Sequence, residues 1–193
     1  MDWKGLFRKR ALKARHEAAQ SASSSAPDAA ASHFMKDFAP DQPSAIALYA
    51  PKGQELDTAP LAKRLSERGH AILLPVVTAQ DAPLEFRLWE IDRPLVEGRF
   101  GIPVPPADSP KRLPQIIVTP LLAVRPDGAR LGHGGGYYDR TLSALRTEGP
   151  GALAIGYGYE GQVMDRFPVE THDQFLDGFA SEVQSRIFPQ RPA

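Results

Sequence analysis

Between residues 44 and 77 the chain reads as strand, helix, strand, and this order limits the fold more than any other feature of the sequence. SAIALYA (44–50) is a short apolar run bounded by prolines, the pattern of a buried strand. KGQELDT follows as a loop closing on Thr58 as N-cap, with Pro60 in the first helical turn, where its missing N–H removes no helix bond. The helix APLAKRLSER stops at Gly69, a residue suited to the left-handed turn after a helix, and HAILLPVV (70–77) is a second buried strand. Such a β-α-β unit predicts a parallel pair with a right-handed crossover.

The rest of the chain extends that sheet. LEFRLWE (84–90) alternates, with Leu84, Phe86 and Leu88 on one side and the charged residues and Trp89 on the other, as in an edge strand or an antiparallel ribbon. Residues 93–114 are proline-rich and read as an ordered loop. QIIVTP (115–120) and ALAIGYG (152–158) are the third and fourth buried strands, a helix runs from about Tyr137 to Arg146, and a last strand begins near Phe179. The expected fold is α/β in three layers: a mainly parallel twisted sheet with helices on both faces, Rossmann-like, carrying a basic N-terminal helix. Three segments are expected: the basic helix over 1–19, a link over 20–32, and one α/β domain over 33–193. The Ala/Ser-rich stretch AAQSASSSAPDAAAS (18–32) lacks the apolar content to pack and is expected to be flexible, with a short helix around 32–38.

Composition excludes several functions. Lys plus Arg and Asp plus Glu both number 23 in 193 residues, so there is no overall basic field for nucleic acid. The chain has no cysteine, which removes thiol nucleophiles, disulfides and cysteine metal sites together. No apolar run approaches the roughly 18 residues of a membrane span, and no secretory h-region is present. A cytoplasmic protein without membrane partners, a monomer or weak dimer, is expected.

Chemistry concentrates at residues 130–142, where Gly132, Gly134, Gly135 and Gly136 precede a helix. Glycines let a backbone approach a ligand closely, and a helix start offers unpaired N–H groups to an anion. The run lacks the Gly-Lys-Ser/Thr ending of a Walker A loop and the G-x-G-x-x-G rhythm of a dinucleotide turn. A glycine turn with no ligand is the bland alternative. Lys4 and Arg8 lie one helical turn apart in a run that also holds Lys9, Arg10, Lys13 and Arg15. That run reads as an anion site, an organelle presequence, or a solvated basic face. Glu55 follows the first core strand, at the sheet edge where α/β proteins bind ligands, or else serves the dipole of the next helix. Trp89 either stacks on a flat ligand or packs under a loop.

The string R-L-G-x-G-x-G-Y-Y-D, Arg130 to Asp139, resembles the signature of the 5-formyltetrahydrofolate cyclo-ligase family, and the resemblance extends over nearly the whole chain. Glu55-Leu56-Asp57-Thr58, LLPVV, FRLW and FGIP follow in the family's order, and Gln162, Pro168 and His172-Asp173 match its C-terminal pattern. The resemblance implies ATP-dependent cyclisation of 5-formyltetrahydrofolate to 5,10-methenyltetrahydrofolate, with ADP and phosphate released and Mg²⁺ required. ATP phosphorylates the formyl oxygen, and N10 then attacks the activated carbon.

It also implies roles. Lys4 and Arg8 match a K-x-x-x-R that contacts ATP. Arg130, with Gly132, His133, Gly134, Gly135, Gly136 and Tyr137, would hold the nucleotide, Arg130 opposing charge on the transferred group. Asp139 and Asp173 would bind Mg²⁺. Ala50, Glu55, Trp89 and Tyr137 would meet the reduced folate, with Arg130 and Glu55 the catalytic pair. The chain departs from the family where Arg125 replaces an acid after Pro120-Leu121-Leu122-Ala123-Val124, where His133 replaces Arg or Tyr, and where Val104 stands at a frequent acid. These changes flank the nucleotide loop. They motivate two other readings: a diverged, non-catalytic nucleotide- or folate-binding member, and an ATP-dependent enzyme for another formylated or pterin-like substrate.

Overall fold

The computed structural model describes residues 3–147, 149 and 151–189. Four α-helices, two short 3-10 helices (Arg99–Gly101 and Glu160–Gln162) and eleven strands occur among them: α1 (Trp3–Ser21), α2 (Ala26–Asp37), β1 (Ala45–Ala47), α3 (Ala59–Glu67), β2 (Ala71–Val76), β3 (Glu85–Leu88), β4 (Val96–Glu97), β5 (Pro103–Val104), β6 (Ile116–Thr119), β7 (Ala123–Val124), β8 (Arg130–Leu131), α4 (Tyr137–Thr147), β9 (Leu153–Tyr157), β10 (Gly178–Ala180) and β11 (Ser185–Ile187). The main sheet has the order β11-β10-β9-β6-β1-β2-β3. Its five central strands, β10 to β2, are mutually parallel, and the two edges, β11 and β3, are antiparallel.

Side chains alternate across this sheet, as the period of two requires. Ile46, Leu48, Ile72, Leu74, Val118 and Ile155 face one side, where α2 and α3 bring Phe34, Leu61 and Leu65. Ala47, Leu73, Ile117, Ala154 and Phe179 face the other, against Leu142 and Leu145 of α4. The helix α3 starts differently from expectation. Thr58 makes no side-chain cap; its hydroxyl donates to Tyr49 O at 2.9 Å, and the Asp57 carboxylate accepts the Ala59 N–H instead.

The low-complexity stretch is not a loose link. α1 continues to Ser21, and α2 begins at Ala26 with Pro27 in its first turn. Ala26, Ala30 and Ala31 are buried beside Phe34 and Met35. Small side chains let α2 approach α3 and the sheet closely, so a segment poor in large apolar residues still packs. Arg64 of α3 adds an ion pair to Asp28 of α2 at 2.9 Å.

Gly156 of β9 marks a tight point of the α4-side layer. A Cβ there would stand 2.7 Å from both Leu121 and Leu176 side chains and 3.1 Å from Phe179. Gly156→Ala is expected to lower stability by about 1–3 kcal/mol through overpacking, a fall of roughly 2–12 °C in thermal midpoint for a chain of this size. An unchanged midpoint would show that the three neighbours move aside freely.

The fold creates one crevice by its topology. From β1 the chain crosses to β2 on one side, while β6, β9 and β10 extend the sheet on the other. Beyond the carboxyl ends of β1 and β6, loops therefore part in opposite directions, the usual ligand position in an open α/β sheet.

Candidate active site

A cavity of about 680 Å³ opens at that crevice. Its floor is the carboxyl edge of the sheet: Tyr49 and Ala50 after β1, Pro75 and Val77 at β2, and Pro120 after β6. Its walls come from α1, the 52–55 loop, the glycine loop, the start of α4, the turn between β4 and β5, and the 170–173 segment.

The β7–β8 hairpin, missed in the sequence because its strands are two residues long, delivers Arg130. Arg130 is buried, and its guanidinium donates to Asp139 Oδ2 at 3.0 Å and to Pro120 O at 3.3 Å. It lies 5.4 Å from the centre of the Tyr138 ring, and its Nε is buried with no hydrogen-bond partner. Burial pushes the Tyr138 hydroxyl pKa well up, nearby Glu55 adds to the shift and Arg130 opposes it, so Tyr138 stays protonated.

The glycine loop needs its glycines for identifiable reasons. Gly134 and Gly136 have φ of +101° and +67°, the left-handed region. A Cβ on Gly134 would also meet the Arg8 guanidinium carbon at 3.1 Å, and one on Gly136 would meet Arg140 Nη1 at 2.6 Å. Arg8 donates to Gly132 O at 3.2 Å, which fastens α1 to the loop. Arg140 donates to Gly135 O at 2.7 Å and sits over the Tyr137 ring, so it braces the loop from the helix side. Asp139 thus pairs with Arg130 rather than with its neighbour Arg140.

Acids gather opposite. Asp139 Oδ1 accepts the Gln174 N–H at 3.1 Å, which puts the first turn of α4 next to the segment carrying Asp173. Both Asp173 oxygens accept from Lys4 Nζ, at 2.7 and 2.9 Å, and Glu170 accepts at 2.8 Å. Burial lowers the Lys4 pKa, but the bonds to Asp173 and Glu170 outweigh it and leave the amine raised. Ligand atoms of Glu170, His172 and Asp173 lie within 4.8 Å of one another. On the far side of the cavity, Glu55 accepts the Lys52 N–H at 2.9 Å, lies 3.5 Å from Arg15 Nη1 and 3.7 Å from His133 Nε2.

The family model described as the 5-formyltetrahydrofolate cyclo-ligase family matches residues 1–181. The chain belongs to this family. A Mycolicibacterium smegmatis protein named 5-formyltetrahydrofolate cyclo-ligase is 36% identical over 138 residues, covering 66% of this chain and 68% of the relative. An Escherichia coli K12 protein of the same name is 35% identical over 136 residues, covering 66% and 72%. The NMR structure of Aquifex aeolicus 5,10-methenyltetrahydrofolate synthetase superposes with a TM-score of 0.78 at 26% identity, covering 98% of this chain and 95% of that one. The chain is accordingly an enzyme of the cyclo-ligase family, with the α/β fold of the methenyltetrahydrofolate synthetase structures.

For this cyclo-ligase, Lys4, Arg8, Ala50, Glu55, Arg130, Gly132 to Gly136, Tyr137, Asp139 and Asp173 all line one cavity. Trp89 does not, and the expectation that it stacks on the folate is corrected. It follows edge strand β3, packs against the α2–α3 side of the sheet, and has its indole N–H buried without a partner. An aromatic surface not singled out in the sequence is Phe100, 60% exposed on the turn between β4 and β5, with its ring 6.3 Å from that of Tyr137. The proline-rich stretch hid it, although a non-glycine residue held at φ +60° is a turn-tip signature once seen.

The departures are absorbed locally. Arg125 is outside the cavity lining and closes the β7–β8 turn, bonding both Asp127 oxygens and Phe167 O. Val104 forms part of an apolar wall, and His133 bridges the glycine loop toward Glu55. Gln162 is a buried strut: its amide donates to Leu121 O at 2.7 Å and accepts the Tyr159 N–H at 2.8 Å. Among the described residues no helix is long and apolar enough to cross a membrane.

Proposed function

We propose that this chain joins 5-formyltetrahydrofolate and ATP in the cavity and releases 5,10-methenyltetrahydrofolate, ADP and phosphate. The observation that carries the reading is the buried Arg130, fixed at the root of the glycine loop by Asp139 and Pro120 in the lining of a cavity that also holds Lys4, Arg8 and Asp173. A rigid cation at that point suits a transferred phosphoryl group, whose catalysis is mostly positioning and charge neutralisation.

The formyl oxygen attacks the γ-phosphorus as the bond to ADP breaks. N10 then adds to the formyl carbon, its proton is lost, and the carbon–oxygen bond breaks to release phosphate. Arg8, the loop amides and the start of α4 would bind the nucleotide phosphates, with Lys4 reaching them from its place beside Asp173. Asp139 and Asp173, hard oxygen donors on segments joined through the Gln174 N–H, would hold Mg²⁺. Bound there, Mg²⁺ would supply charge neutralisation at the phosphates. Glu55 and Ala50 would face the pterin, and Tyr137, with Phe100, the flat part of the folate.

Purified protein given ATP, Mg²⁺ and 5-formyltetrahydrofolate is expected to develop the near-ultraviolet absorbance of the methenyl product, with one ADP released per turnover. Folded protein that binds ATP but forms neither product nor ADP would overturn the proposal. Arg125, whose change of charge motivates a non-catalytic reading, is turned into its own hairpin and lends that reading no support.

A further inference from the structure

We infer that Arg15 is a positioning residue for Glu55, and that recognition of the folate half of the cavity depends on it; the inference rests on the reading of Glu55 as the folate-facing carboxylate. Lys4, Arg8 and Arg15 are spaced four and seven residues apart on α1. At about 100° per residue they fall on one face of the helix, within roughly 40° of arc. Ala11, fully buried, shares that face and lets it lie against the domain. The three cations therefore meet three different parts of the cavity in order along the helix axis.

Arg15 is two turns beyond Arg8, about 10.5 Å along the axis. That distance takes it past the glycine loop, where Arg8 meets Gly132, to the 52–55 loop. The Arg15 and Glu55 side chains are 9% and 10% exposed, so neither charge is solvated as a surface pair would be. The neighbouring contact of His16 with Gln54, at 2.8 Å, holds the same loop against α1. Glu55 is thus fixed at one oxygen by the Lys52 N–H and faced at the other by Arg15 and His133. His133 is 55% exposed and carries charge only when protonated, whereas a guanidinium is always charged. Arg15 is the permanent counter-charge of a nearly buried carboxylate. Arg15 and Glu55 both line the cavity, so the pair stands where the folate would lie.

The test is equilibrium binding to full-length Arg15→Met, Arg15→Lys, Glu55→Gln and the Arg15→Met/Glu55→Gln double variant, with 5-formyltetrahydrofolate and ATP titrated separately. Arg15→Met is expected to weaken folate binding about tenfold or more and ATP binding less than about twofold. Arg15→Lys, which keeps the charge and the helix contact, should recover part of the loss. In the Glu55→Gln background, Arg15→Met should add little further loss, because the two act as a unit. Equal losses for both ligands, or losses that add in the double variant, would reduce Arg15 to a structural pin and overturn the inference. Wild-type folate affinity in Glu55→Gln would overturn the underlying assignment of Glu55 as well. If Arg15→Met fails to fold, Arg15→Lys and its cycle with Glu55→Gln give the same decision.

Discussion

Arg130→Met is expected to lower kcat by about 10²–10³-fold, the scale seen when a preorganised donor to developing charge is removed. The side chain is 4% exposed and its partner Asp139 15%, so the pair works where water screens little. Removing the cation alone leaves a mostly buried carboxylate uncompensated and should cost about 3–5 kcal/mol of stability. Two companions separate chemistry from folding. Arg130→Met/Asp139→Asn removes both charges and should regain much of the lost stability while staying inactive. Arg130→Lys keeps the charge but loses the planar fork that reaches Asp139 and Pro120 together, and should fold with kcat still reduced at least about tenfold. Thermal midpoints and single-turnover rates check all three. A double variant that regains activity along with stability would show that Arg130 serves folding alone.

The Arg130 result bears on how much of the site could be read in the sequence. The β-α-β unit, the order of the buried strands and the edge character of β3 follow from apolar periodicity, because alternate burial on a sheet writes itself into alternate residues. The glycine loop and its flanking charges are equally local. What the sequence hid is set by packing at a distance. Ala26, Ala30 and Ala31 read as linker composition because their burial depends on α3 lying close enough to need small residues. Alternation left Trp89 open to a ligand or to packing and the resemblance placed it on the folate, whereas beside the edge strand it packs against the α2–α3 side cluster. Arg125 looked like a change flanking the nucleotide loop, yet the hairpin turn points it at Asp127 and Phe167. Arg15 carried a usable signal, the same helical stripe as Lys4 and Arg8, but its partner Glu55 is 40 residues away.

Asp139→Asn is expected to cut turnover at least about 100-fold and to raise the Mg²⁺ concentration needed for ATP binding about 10- to 100-fold. The amide is nearly isosteric and its oxygen can still accept the Gln174 N–H, so the link between α4 and the Asp173 segment survives. What goes is the negative charge, which pairs with Arg130 and, on the proposed function, would also hold a hard cation. These two roles predict different titrations. If Asp139 only holds Arg130, the variant loses kcat with its Mg²⁺ dependence unchanged, because the remaining acids would bind the ion as before. If it is a metal ligand, calorimetric titration of ATP at fixed Mg²⁺ shifts even when no turnover occurs. Asp173, already shared with Lys4, gives the control: Asp173→Asn should shift the Mg²⁺ dependence in the same direction while leaving the Arg130 pair intact. A shift confined to kcat in both variants would remove the metal role and leave Lys4, Arg8 and Arg130 to carry the phosphate charge unaided.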